Sequence, residues 1–158
     1  MVGTSYPAEQ WKIEIVNTGD KDKTIKVYSF IEFSLEGYAT YSEYDSYVST
    51  WKNEKFNMLY AQNTAQERPH GWFNGFIASS EEITGFETSK TAFLGRYGDA
   101  SAPRTVVKGK CENSMAACER MVGVLENTFY IKAGETKSQV IANIKSNNSM
   151  YLFSFRKC

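Results

Sequence analysis

The side chains able to do chemistry are few, and their spacing decides what they can do. A nucleophilic triad needs a base beside a nucleophile, and His70, in QERPHGWF, is the single histidine of the 158 residues and sits beside Pro69 and Gly71 in a loop-like stretch. A solvated histidine is the simpler reading. Glu81 and Glu82 are two carboxylates, as glycoside chemistry requires, but they are adjacent. Neighbours on a strand point to opposite faces, so this pair reads as loop charge. Glu32 lies on the Phe30 face of an aromatic strand, where a carboxylate needs a cation; Arg68 and Arg96 are the candidates, and a structural ion pair is favoured over a substrate contact. Cys111, Cys118 and Cys158 match neither a CxxC metal pair nor a disulfide framework, so reduced thiols in a cytoplasm are expected, with a 111 to 118 bridge left open. No phosphate-cradling glycine loop and no HExxH occurs. The residues therefore assemble no catalytic site and no metal site.

The remaining candidates are aromatic. Ten Tyr, ten Phe and three Trp make 15% of the chain. Tyr38, Tyr41, Tyr44, Tyr47 and Trp51 fall within GYATYSEYDSYVSTW, and the three-residue spacing predicts a helical or turn-rich arm with tyrosines along one side. Tyr44, Tyr47 and Trp51, with Trp72, are the substrate- or interface-contact candidates. TAFLGRYGDASAPRTVVKG concentrates Gly95, Gly98, Pro103 and Gly109 around Arg96, Tyr97 and Asp99, the mark of a shaped loop between strands.

The elements that must hold these groups read as strands. Trp11, Ile13 and Ile15 alternate with Lys12 and Glu14, and Ile25 to Phe33 alternate in the same way across the polar turn NTGDKDK, which predicts a β-hairpin. Val124 to Ile131 and Lys137 to Ile144, joined by KAGETK, repeat that design. Further strands are expected at 55–62, 71–79 and 104–107, with a helical turn within 111–121. An all-β antiparallel sandwich with one irregular or short helical arm follows. Eighteen basic residues balance eighteen acidic ones, so there is no basic surplus for a nucleic acid or an anionic membrane. No apolar run of membrane-spanning length and no leader pattern is present.

VNTGDKDKTIKVYSFIEFSL, GFETSKTAFLGRYGDASAPRTVVKGK and YIKAGETKSQVI, in this order, carry a family resemblance, with SFIEF and FLGRYG as its most specific pieces. The chain resembles the N-terminal β-sandwich, or supersandwich, domain of the glycoside hydrolase family 94 phosphorylases, which include cellobiose, cellodextrin and chitobiose phosphorylases. The resemblance spans residues 10–145 and leaves 146–158 as a divergent tail. It implies a partial supersandwich, a fragment whose early strands are missing. Full-length members cleave β-glucosides with inorganic phosphate as co-substrate and with inversion, and their catalytic acid lies in an (α/α)6 barrel that these residues do not contain. The resemblance thus implies a non-catalytic scaffold or carbohydrate-binding domain, no cofactor of its own, a barrel and a homodimer partner, and a β-glucan oligosaccharide or disaccharide as ligand. An autonomous carbohydrate-binding module is the alternative.

Overall fold

The computed structural model of the chain describes residues 8–33, 35, 48–63, 74–116, 119 and 121–146. Among these described residues eight strands run in the order β1 (Ala8–Val16), β2 (Lys23–Glu32), β3 (Val48–Asn53), β4 (Met58–Asn63), β5 (Asn74–Ser79), β6 (Gly85–Ser89), β7 (Met121–Ile131) and β8 (Thr136–Ser146), with short helices α1 (Lys90–Leu94) and α2 (Arg104–Lys108) between β6 and β7. A five-stranded sheet has the order β1-β8-β5-β4-β3 and a three-stranded sheet the order β2-β7-β6. Every strand pairing is antiparallel, and the two sheets form a β-sandwich.

Period two places the core. Leu59, Ile77, Leu125 and Ile141 are 0% exposed and meet between the sheets, with Trp11, Ile13, Ile31, Phe33 and Phe86 packed around them. At Gly123 the sheets approach so closely that a Cβ would stand 2.7 Å from Ile77 Cγ2 and 3.0 Å from Phe33 Cζ. Only a residue without a side chain fits there.

The two expected hairpins are not hairpins. β1 pairs with β8 and β2 pairs with β7, so each short connection crosses from one sheet to the other. The cause is visible in Asn17, whose side chain is buried at the first corner. Its Nδ2 donates to the carbonyls of Lys21 (2.8 Å), Ile131 (3.2 Å) and Lys132 (3.1 Å), and its Oδ1 accepts Gly19 N–H (3.2 Å). Asn17 N donates to Glu135 O and Gly134 N to Asn17 O. The two corners are thus stacked and bonded to each other, which an in-plane turn would prevent.

Arg104 to Val107, expected as a strand, is helix α2. Pro103 stands at its N-cap with φ −58°, and Gly109 closes it at φ +70° in the left-handed region. The strand expected at 55–62 begins at Met58, because residues 54–57 make the β3–β4 turn with Asn57 at φ +50°. That expected at 71–79 is described from Asn74 onwards. Among residues 111–116 there is no helical turn but a single parallel bridge, Glu87 to Ser114. Trp51 lies on β3; the tyrosines at 38, 41, 44 and 47 lie outside the described residues.

Candidate functional site

Two carboxylates that the sequence reading passed over sit on the outer face of the three-stranded sheet. Glu87 on β6 is 0% exposed and Glu126 on β7 is 3% exposed. Gly85 pairs with Glu126 and Glu87 with Val124, so both acids share one face as diagonal neighbours. Glu126 accepts Lys26 Nζ at 2.7 Å and the Cys111 N–H at 2.7 Å. Glu87 accepts Ser114 N–H at 3.0 Å, together with Glu112 N–H and the Ser114 hydroxyl. Lys26 also reaches Gly109 O at 2.6 Å. Burial pushes the Glu126 carboxyl up, but the bonds from Lys26 and Cys111 outweigh it and hold the group below the usual carboxylate range.

These acids fasten a cover. Phe93 of α1, Cys111, Val122 and Val124 form a small cluster with Tyr28, Phe30 and Leu94, and the Phe30 and Phe93 rings stack with centroids 5.2 Å apart. Beneath it the free thiol of Cys111 is 1% exposed; burial, then Glu126 and Glu87, push its pKa well up. Burial and Glu126 likewise raise the Tyr28 phenol to about 12. Each oxygen is spent on the fold's own donors and the thiol is held protonated, so this face stores structure and offers no acid, base or nucleophile to a substrate. The available signal was a lone glutamate inside the largely apolar GVLENTF; GFETS is itself polar and does not single out Glu87.

The outer face of the five-stranded sheet is of another kind. Trp51 on β3 lies against Tyr60 on β4, ring centroids 4.3 Å apart and tilted by 47°. Met58, Tyr60 and Ala78 are buried there with Phe56 and Phe76 around them. Trp51 is 37% exposed. At one end Asn74 Oδ1 accepts the Tyr60 hydroxyl at 2.5 Å and Gln62 Nε2 at 2.9 Å. Trp51 thus leaves a half-covered indole on this face, while Tyr60 and Asn74 are buried.

Among the other predicted residues, Glu32 is bonded to Lys90 Nζ at 2.7 Å. Arg96 lies over the Tyr97 ring, 5.6 Å from its centroid, and that ring is 92% exposed. The structure therefore does not bring Glu32 and Arg96 together: Lys90, directly after β6, reaches the carboxylate first. Tyr44, Tyr47, Arg68, His70 and Trp72 lie outside the described residues. The 90–109 stretch holds α1 and α2, tied to each other. Gly98 N–H meets Gly95 O at 3.2 Å, the Thr105 hydroxyl donates to Ala92 O at 3.3 Å, and a Cβ on Gly98 would fall 2.0 Å from Leu94 O. Its glycines shape the turn itself.

Comparison with known proteins agrees with this architecture. The family model described as the glycosyl hydrolase 94 supersandwich domain matches residues 1–152. A solabiose phosphorylase from Paenibacillus borealis is 55% identical over 134 residues, 85% of this chain and 17% of that protein. N,N'-diacetylchitobiose phosphorylases from Vibrio proteolyticus and Vibrio furnissii are 31% identical over 140 residues and 28% over 156, covering 81% and 89% of this chain. The chain spans only 16% and 18% of those two relatives. A two-sheet sandwich, the family match over nearly the whole chain and the identity to phosphorylases together establish that the chain belongs to the glycosyl hydrolase 94 supersandwich domain family.

Proposed function

We propose that this chain serves as the non-catalytic β-sandwich of a glycoside phosphorylase in carbohydrate metabolism, bracing a catalytic barrel and turning its Trp51 face towards a partner domain or a bound sugar. The observation that carries the reading is the use of the buried carboxylates. Glu87 and Glu126 are both consumed by backbone amides, a serine and a lysine, and so neither buried carboxylate is free to protonate a glycosidic oxygen. The phosphorylase relatives support the substrate class, a disaccharide cleaved with inorganic phosphate. A cytoplasmic location is part of the proposal and is supported by the free thiol of Cys111.

The test is an assay of the purified chain with inorganic phosphate and, in turn, solabiose, N,N'-diacetylchitobiose and cellobiose. No sugar 1-phosphate is expected; its appearance at a rate proportional to chain concentration overturns the reading.

The half-exposed Trp51 beside Gln62 and Asn74 favours a second reading, an autonomous carbohydrate-binding module. Urea unfolding with and without millimolar disaccharide separates the two. A ligand of the folded state at about 100 times its Kd adds about 2.7 kcal/mol, so a module's midpoint rises with sugar while a scaffold's does not.

A further inference from the structure

Two amides share the core-facing rows of the sandwich. Asn127 stands two residues from Leu125 on β7, and Gln139 two residues from Ile141 on β8. Each is only 1% exposed. Asn127 Nδ2 donates to the carbonyls of Glu81 (3.1 Å) and Glu82 (2.6 Å). A carbonyl only accepts, so the amino group must face that pair and Oδ1 must face the other way. There Asn127 Oδ1 meets Gln139, which can answer only as a donor. Gln139 Nε2 bonds Asn127 Oδ1 and reaches Ser79 Oγ at 2.9 Å, and with that both its hydrogens are used.

The remaining atom, Gln139 Oε1, is buried and meets no donor among the described residues. Turning the carboxamide over does not help, because it sets Oε1 against Asn127 Oδ1, oxygen against oxygen. A buried acceptor without a donor is destabilising, and in folded chains such atoms are met by protein or by ordered water.

A second orphan lies on the facing sheet. Ser29 on β2 is 5% exposed, and its Oγ likewise has no partner among the described residues. Ser29 pairs with Leu125 and Val27 with Asn127, so Ser29 and Asn127 are diagonal neighbours on one sheet, while Gln139 approaches Asn127 from the other. Ser29 is also the one small side chain in the alternating row Ile25, Val27, Ser29, Ile31, Phe33. The smallest group that can donate to Gln139 Oε1 and also bond a hydroxyl is water, which needs two or more polar partners to be held in a core.

From this we infer that the sandwich has a binding site for one internal water, between Gln139 Oε1 and Ser29 Oγ. The water donates one hydrogen to Gln139 Oε1 and bonds the Ser29 hydroxyl, which links β8 of one sheet to β2 of the other. A polar belt then runs from the Glu81 and Glu82 carbonyls through Asn127, Gln139 and the water to the margin strand β2. A bridging water is nearly as favourable as a direct bond. The inference does not rest on the functional reading above.

A high-resolution crystal structure of the chain and a double-mutant cycle in urea test it together. The expected density is a single oxygen within hydrogen-bond distance of both Gln139 Oε1 and Ser29 Oγ. Ser29→Ala and Gln139→Met each break the bridge, so the double variant should lose less, by more than about twofold in the unfolding equilibrium constant, than the product of the two single losses. Density without an oxygen at that place, or single losses that multiply to within about twofold, overturns the inference. Should a variant fail to fold, the density of the unaltered chain decides the question.

Discussion

The Glu126 carboxylate accepts the backbone N–H of Cys111 at 2.7 Å, which ties the segment after α2 to the middle of β7. Replacing Glu126 with Ala leaves that buried N–H without its acceptor and the Lys26 ammonium without its carboxylate, bonded still to Gly109 O. A loss of about 3 kcal/mol is expected, read from the urea midpoint at constant slope.

The same group sets a pH dependence. Its folded pKa lies below the ordinary value of 4.5, so the unfolded chain takes up the proton first as pH falls. Its stabilisation is therefore complete well above that value and is lost as pH drops through it towards the folded pKa. Urea midpoints measured between neutral pH and acid should fall more steeply for the unaltered chain than for Glu126→Gln; parallel curves would assign the acid sensitivity to other carboxylates.

Cys111 should resist thiol reagents. Its burial and the two neighbouring carboxylates keep it protonated, and the thiolate is the reactive form. Mass spectrometry of the labelled chain should show Cys111 modified only in urea, at a rate that follows the population of unfolded chain.

Asn17→Ala removes the donor shared by three carbonyls at the paired corners. The expected cost is about 2–3 kcal/mol, since buried acceptors are left unmet. Asn17→Asp should be no better, because a carboxylate cannot donate; a midpoint close to that of the unaltered chain for either variant would show that the corners hold without it.

Gly123→Ala forces a methyl against Ile77 and Phe33 and should cost about 1–3 kcal/mol. Combined with Ile77→Ala the losses should be less than additive, as the second change removes the obstructing methyl. Trp51→Ala, by contrast, removes a half-exposed ring that lies tilted against Tyr60, and about 1 kcal/mol is expected.

Strand positions were legible because alternation such as Ile25, Val27, Ile31 needs only one buried face to be visible. Which strand lies beside which was not. A polar connection such as NTGDKDK satisfies either an in-plane turn or a corner between sheets, and what decides is Asn17 meeting carbonyls more than a hundred residues away. α2 misled because Thr105, Val106 and Val107 favour strands locally, while Pro103, Gly109 and the Thr105 bond to Ala92 O impose a helical turn. Glu87 and Glu126 were overlooked for the same reason: their partners lie on a segment whose path no local pattern reveals. Trp51 could be singled out because a large ring needs no partner to be noticed; its role as a contact is part of the proposed function.

The crossed pairing of β1 with β8 and of β2 with β7 also governs when the fold can form. Lys23 is zipped to Ile131 and Val16 to Thr136, so the first strands of the described chain wait for the last. A nascent chain emerging from the ribosome holds β1 and β2 unpartnered until β7 and β8 are released. Pairing of β1 and β2 is thereby postponed until β7 and β8 have been made and is slow, because long loops must close before these pairs can form.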